Sequence, residues 1–293
     1  MSVFWAVLRR GAGTLALLSV AGLLLGQLTG RGHWFFELFS HFVPHYALAF
    51  LLAAGLLSGV WRVGYGLLAL VLAAWLVQPW ALWQGGGEGT SASRSVLWYN
   101  VHLGNAHARE ESAWMLDAAP EVLALAEIDF ADPGWQGLLE AYPHGCEHRE
   151  ASPFALALRS RAPLLACEVH FVDGFPFIRA LTADGAALYA LHPPPPIVGE
   201  LARARSVYLQ VVARRMATEA RVLAVGDLNS SPFSPLFRDL LRESGAAALT
   251  PYWMPTWKPF FLNIDHALQR GLAARAQALP WRFSDHRPLQ VWF

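Results

Sequence analysis

The first 83 residues of this chain are nearly without charge. Up to Trp83 they carry four basic residues, Arg9, Arg10, Arg31 and Arg62, and one acidic residue, Glu37. Almost every other charge of the 293 residues lies beyond, so the two parts are different physical objects. From Thr90 onward eighteen basic residues face twenty acidic ones, a net −2. That balance lacks the basic stripe of a protein that wraps nucleic acid. Internal repeats are absent, and low-complexity sequence is confined to a Gly/Ser stretch and one run of prolines. Cysteine is scarce as well. Cys146 and Cys167 permit one disulfide in an oxidising compartment, or stand as two unlinked buried thiols.

What fills the uncharged part is apolar. Three spans can be drawn, at roughly residues 11–28, 42–60 and 63–77, each near the ~20 residues that a bilayer crossing needs. None holds a charged side chain, which argues against a channel or transporter. Trp34, Phe35, Phe36, Trp61, Trp80 and Trp83 sit at the span ends, where amphipathic rings favour the headgroup region. A signal peptide would account for the first span alone. Arg9, Arg10 and Arg62 fall on one side of three crossings and Arg31 on the other, so the positive-inside bias puts the amino terminus in the cytoplasm and the rest outside it. The expected organisation is a transmembrane region at 1–83, a flexible Gly/Ser linker at 84–94 and one α/β domain at 95–293, tethered rather than packed.

Within the domain, apolar runs of strand length stop repeatedly on polar residues. Residues 222–225 lead into Gly226-Asp227-Leu228-Asn229, which delivers a carboxylate and a carboxamide to one side of a strand end. Residues 95–99 close on Asn100 and residues 121–126 on Glu127. Residues 187–191 end at His192, followed by four prolines that cannot continue a ladder. Asp265 lies in an apolar stretch over 261–268, and Ser284-Asp285-His286-Arg287-Pro288 precedes a last short strand. A helix is expected over about 200–218, with Arg203, Arg205, Arg214 and Arg215 on a solvated face. Ser234-Pro235 caps another. The apolar segment between Trp257 and Ile264, with Phe260 and Phe261, reads as core in preference to an exposed lip.

Asn100, Glu127, His192-Pro, Gly226-Asp227-Leu228-Asn229, Ile264-Asp265-His266 and Ser284-Asp285-His286-Arg287-Pro288, in that order, resemble the endonuclease/exonuclease/phosphatase (DNase I-like) superfamily. The likeness covers about residues 95–293, and the apolar spans ahead of it are similar to the family's membrane-anchored bacterial branch. Ala126 departs from the Gln that many members place before the metal-binding Glu. The resemblance implies a four-layer α/β sandwich, two mixed sheets face to face with helices outside.

It further implies a metal-dependent phosphoesterase, and the spans with their positive-inside bias place it as a multi-pass protein of the bacterial inner membrane with its catalytic domain expected in the periplasm. Glu127, Asn100 and Asp285 are the expected ligands of Mg2+, with Mn2+ or Ca2+ as substitutes. His286 paired with Asp265 is the base or phosphate contact, Asp227 handles the water, Asn229 donates to the transition state, and His192 is the general acid. A lipid or small phosphoester headgroup suits the tether better than a nucleic acid does. The alternatives are a nuclease of the same fold and a catalytically silent scaffold, and the latter would have lost one of these residues. No protein partner is implied.

Overall fold

The structure, a computed structural model, describes residues 3–83 and 94–293. The expected linker therefore lies outside the described residues, except for Arg94. The uncharged part forms helices α1 (Val3–Leu24), α2 (Trp34–Glu37), α3 (Val43–Leu56) and α4 (Gly59–Trp83). A π-helical turn over Leu25–Thr29 prolongs α1, and a 3-10 stretch over Leu38–Phe42 joins α2 to α3. Three helical spans result, Val3–Thr29, Trp34–Leu56 and Gly59–Val77, each long and apolar enough to cross a membrane. Their bounds correct those expected from hydropathy. The second span begins at Trp34 and takes in Glu37, a charge that this position tolerates because it is buried against the domain.

The remainder runs β1 (Ser95–Asn100), α5 (Ala108–Ala118), β2 (Val122–Ala126), α6 (Gln136–Ala141), β3 (His144–His148), β4 (Leu156–Ser160), β5 (Ala166–Val172), β6 (Phe175–Leu181), β7 (Ala187–Leu191), α7 (Gly199–Ala217), β8 (Val222–Asp227), α8 (Pro235–Ser244), β9 (Ala247–Ala248), β10 (Asp265–Arg270), β11 (Arg275–Ala278) and β12 (Leu289–Trp292). Two six-stranded mixed sheets form, in the orders β11-β12-β1-β2-β4-β3 and β5-β6-β7-β8-β10-β9. Each has one parallel pair, β1 with β2 and β7 with β8, and a parallel pair needs a crossover, here α5 and α7. The sheets share a core that includes Trp98, Ala124, Leu188 and Val225. Helices α7 and α8 cover the second sheet, and α5 and α6 the first. This is the four-layer DNase I-like arrangement.

Cys146 on β3 and Cys167 on β5 form a disulfide. It joins the edge strand of one sheet to the edge strand of the other, which settles the alternative left by their spacing.

The helices are packed on the domain, not merely tethered to it. Phe233 enters the helical cluster with Phe50 and Tyr65, and Trp75 meets its ring edge-on at 5.1 Å. Gln27 Nε2 donates to Phe233 O at 3.0 Å, and Arg31 pairs with Asp239 at 2.7 Å. Deeper in, Arg205 donates to Glu37 at 2.6 Å, Ser234 Oγ donates to the same carboxylate, and His41 meets Ser231 Oγ at 3.0 Å. Arg205 thus leaves the solvated face expected for α7, because burial of a guanidinium is tolerable only beside a carboxylate.

Candidate active site

The two parallel pairs finish at the same edge of the sandwich. Register places Asn100 beside Ala126, so Glu127 follows directly, and Leu191 beside Gly226, so His192 and Asp227 emerge together. A Cβ at Gly226 would collide with the Leu191 carbonyl oxygen, which is why glycine precedes Asp227. Asp265 opens β10 opposite Asp227 on β8. Glu127 and Asn229 take left-handed backbone conformations, φ +58° and +46°, that turn each side chain out of its strand line.

Seven of the eight expected residues are linked by direct contacts. Asn100 Nδ2 donates to Glu127 Oε1 at 2.8 Å and reaches Asp227 Oδ2 at 3.3 Å. Leu103 N donates to Glu127 Oε2 at 3.1 Å. His192 Nε2 stands 3.8 Å from both Glu127 Oε1 and Asp227 Oδ2. His286 Nδ1 donates to Asp265 Oδ2 at 2.8 Å, and its Nε2 faces Asp227 Oδ2 at 3.8 Å. Asn229 N donates to Asp227 Oδ1 at 2.9 Å while its Nδ2 donates to Pro193 O at 3.0 Å. Asp285 stands aside. Its Oδ2 accepts from Trp257 Nε1 at 2.9 Å, its Oδ1 faces His102 Nδ1 at 3.2 Å, and among the described residues no hydrogen bond joins it to Asn100 or Glu127.

Electrostatics follow from burial. Asp227 is pushed up to about 8 by loss of water and by the charge of Asp265, against the attraction of His286. Burial opposes charge on His286, yet Asp265 and Asp227 outweigh it and hold the imidazole up at about 10. Burial lowers His192, with Glu127 pulling the other way. Three carboxylates, Glu127, Asp227 and Asp265, therefore converge on two imidazoles, and among the described residues no Lys or Arg pairs with any of them. Such oxygen-rich, cation-poor surroundings fit a hard divalent ion. Asp227, Asp265 and His286 offer ligand atoms within 4.8 Å of one another, and this buried group could itself hold a metal.

Several supporting residues escaped the sequence reading. Trp98 Nε1 donates to Asp265 Oδ1 at 2.9 Å, and only its same-face position two residues before Asn100 signals it. Glu111 of α5, fully buried, accepts from Tyr99 Oη at 2.7 Å, Arg282 Nε at 2.7 Å and Phe283 N at 3.1 Å, and so anchors the loop that carries Asp285 and His286. Burial and this carboxylate push the Tyr99 phenol up, keeping it a donor. Ser284 Oγ completes the brace, donating to Asn100 O at 2.8 Å and accepting from His286 N at 3.0 Å.

The lip expected as core is exposed instead. Phe260 and Phe261 sit at a turn tip with φ of +57° and +48°, which swings both rings outward to 64% and 65% exposure.

Similar folds occur in the 3'-5' exonuclease NExo from Neisseria meningitidis (17% identity, TM-score 0.55, 68% of this chain and 99% of that one) and in sphingomyelinase C from Streptomyces griseocarneus (17%, 0.52, 68% and 98%). Humanized TDP2 of D. rerio is a third (16%, 0.53, 68% and 98%). At these identities the likeness carries the fold alone. No curated protein sequence matches the chain. Residues 97–286, well over half of the chain, match the model of the Endonuclease/Exonuclease/phosphatase family, and the chain belongs to that family of phosphoester hydrolases.

Proposed function

We propose that the chain is a membrane-anchored, divalent-metal-dependent phosphoesterase that cleaves a phosphodiester or phosphomonoester outside the cytoplasm. The observation that carries this reading is the surplus of carboxylates at one sheet edge, three of them facing two imidazoles with no Lys or Arg in contact among the described residues. Glu127 and Asn100 are the set we assign to the ion, and Asp285 joins it only by leaving Trp257 and His102. When bound, Mg2+, or Mn2+ or Ca2+ in its place, supplies neutralising charge to the phosphoryl oxygens.

The chain's own residues do the rest. His286, fixed through Nδ1 on Asp265, presents a charged Nε2–H to a non-bridging phosphoryl oxygen. Asp227, held at Oδ1 by the Asn229 N–H, orients the attacking water and takes its proton. Asn229, with one side-chain N–H on Pro193 O, has its second for the in-line transition state. His192, 3.8 Å from both Glu127 and Asp227, is the group we assign to the departing oxygen.

The membrane topology supports an extracytoplasmic site. Contacts to the domain come from Gln27, Arg31, Glu37 and Trp75, all near the same ends of the three spans, whereas Arg9, Arg10 and Arg62 lie towards the opposite ends. The disulfide suits an oxidising compartment. The −2 balance from Thr90 onward argues against a polyanionic substrate, and a nuclease is the second reading.

The test is hydrolysis of bis-p-nitrophenyl phosphate and p-nitrophenyl phosphate by the full chain in detergent. Turnover is expected with Mg2+ or Mn2+, abolished by EDTA and restored by excess metal. Absence of hydrolysis of either ester with any divalent ion would overturn the assignment.

A further inference from the structure

Between the second membrane span and the active-site edge runs a groove of about 450 Å³, within the range of small-molecule sites. Trp34, Leu38 and Phe42 form one wall, Ile197, Trp257 and Phe260 the other, and its surface is almost wholly apolar. Three features connect it to the chemistry. Asn229 lines the groove and donates its N–H to Asp227 Oδ1 at 2.9 Å. Trp257 lines it and donates to Asp285 Oδ2 at 2.9 Å. Ile264 lines it and precedes Asp265 in the chain. The groove thus ends at the site, and its far wall belongs to a helix long and apolar enough to enter a bilayer.

The lip points the same way. Phe260 and Phe261 are held in left-handed backbone by a turn pinned at its base, with Lys258 N on Asp285 O at 2.8 Å and Trp257 N on Leu262 O at 2.9 Å. The Phe260 ring meets Phe42 of the span edge-on at 5.9 Å. Two strained residues that present benzyl groups to water gain only if the surroundings are apolar.

We infer that this groove is the subsite for the hydrocarbon tail of a membrane lipid phosphoester, whose phosphate then lies at the Asp227–His286 edge. The inference rests on the phosphoesterase reading and goes beyond it by naming the substrate class as an amphiphile drawn from the bilayer. A nucleotide or a polynucleotide offers nothing apolar of that extent to fill the groove.

The experiment uses the full chain in phosphatidylcholine nanodiscs with Mg2+ and a series of alkyl p-nitrophenyl phosphates, from methyl to dodecyl. In each turnover the water oxygen bonds to phosphorus and the P–O bond to the aryl group breaks. The alkyl phosphate and p-nitrophenolate leave, and the water's proton passes through Asp227 to the medium. In the wild type kcat/KM rises about three- to four-fold per methylene until the groove is filled. In Phe260→Asp and Ile197→Asp the ratio of dodecyl to methyl ester falls at least about ten-fold. A flat wild-type series overturns the inference. So does a chain-length slope that both variants retain, since partition into the bilayer alone would then explain it. If no ester of the series, the dodecyl included, is cleaved with any divalent ion, the phosphoesterase reading itself fails. Cleavage of the methyl ester without a chain-length effect leaves that reading standing and removes only the groove's role.

Discussion

Glu37 and Arg205 are 168 positions apart in the chain and 2.6 Å apart in the fold, both withdrawn from water. One belongs to a helix long and apolar enough to cross a membrane and the other to α7, whose guanidinium also donates to the carbonyl of Asn229. The pair therefore holds the candidate active-site edge against the apolar helices. Glu37→Ala leaves a buried, unpaired guanidinium and is expected to cost about 3–5 kcal/mol. The joint change Glu37→Leu with Arg205→Met recovers most of that loss. Thermal unfolding in detergent, followed by near-ultraviolet circular dichroism, checks both. A Glu37→Ala protein as stable as the wild type would show that the pair does not hold the two parts together.

The His286–Asp265 contact predicts loss of activity without loss of fold. Asp265→Asn still accepts from Trp98 Nε1 but no longer fixes or charges the imidazole. Its kcat is expected to fall by about 10²–10⁴-fold, and His286→Asn by at least as much. Both variants should keep the wild-type unfolding temperature within a few degrees. Wild-type turnover in either one would remove this pair from the chemistry.

Metal affinity separates two possible seats for the ion. With the ion on Glu127, Glu127→Gln weakens Mn2+ binding by at least about ten-fold, while Asp265→Asn changes it by less than about three-fold. Calorimetric titration of the full chain reads both. The reverse pattern would move the ion to the Asp227, Asp265 and His286 group.

His266 is fully buried, its Nε2 at 2.8 Å from Ser230 O, and burial lowers its pKa to about 4. An unfolded histidine titrates near 6.5, so on acidification the unfolded chain takes up its proton first. The stabilisation is complete above about pH 6.5 and is lost as the pH falls to about 4, amounting to no more than ~3 kcal/mol. In His266→Gln the acid limb of Tm against pH should be shallower over that window. An unchanged limb would assign the acid sensitivity to other groups.

The disulfide closes a loop between positions 21 apart and joins the two sheets. Cys146→Ser with Cys167→Ser is expected to lower stability by about 3 kcal/mol, mainly by freeing the unfolded chain. Reduction of the wild type with dithiothreitol should reproduce the shift in unfolding temperature, and the double variant should then be insensitive to the reductant.

Much of the candidate site was legible because strand ends are local events. In β1, β2, β7 and β8 an apolar run stops on Asn100, Glu127, His192 or Asp227, and each stop is written within six or seven residues. The N-cap of α8 is equally local, Ser234 Oγ accepting from Leu236 N at 3.1 Å. One local signal went unread. Asp173-Gly174, with φ of +48° and +84°, is a tight hairpin turn between β5 and β6. Edge strands β3, β9 and β11 carried no comparable mark, because pairing with a neighbour defines them more than their own alternation does.

By itself, then, the sequence determined which polar groups stand at strand ends and which stretches avoid water, since both follow from the pattern of neighbouring side chains. Only the tertiary structure decided that Glu37 would meet Arg205, that Glu111 would brace the loop of His286, and that Phe260 would face the apolar helices. Those outcomes depend on which surfaces close over one another. Burial then leaves each charge dependent on a partner that nothing in its own stretch of chain identifies.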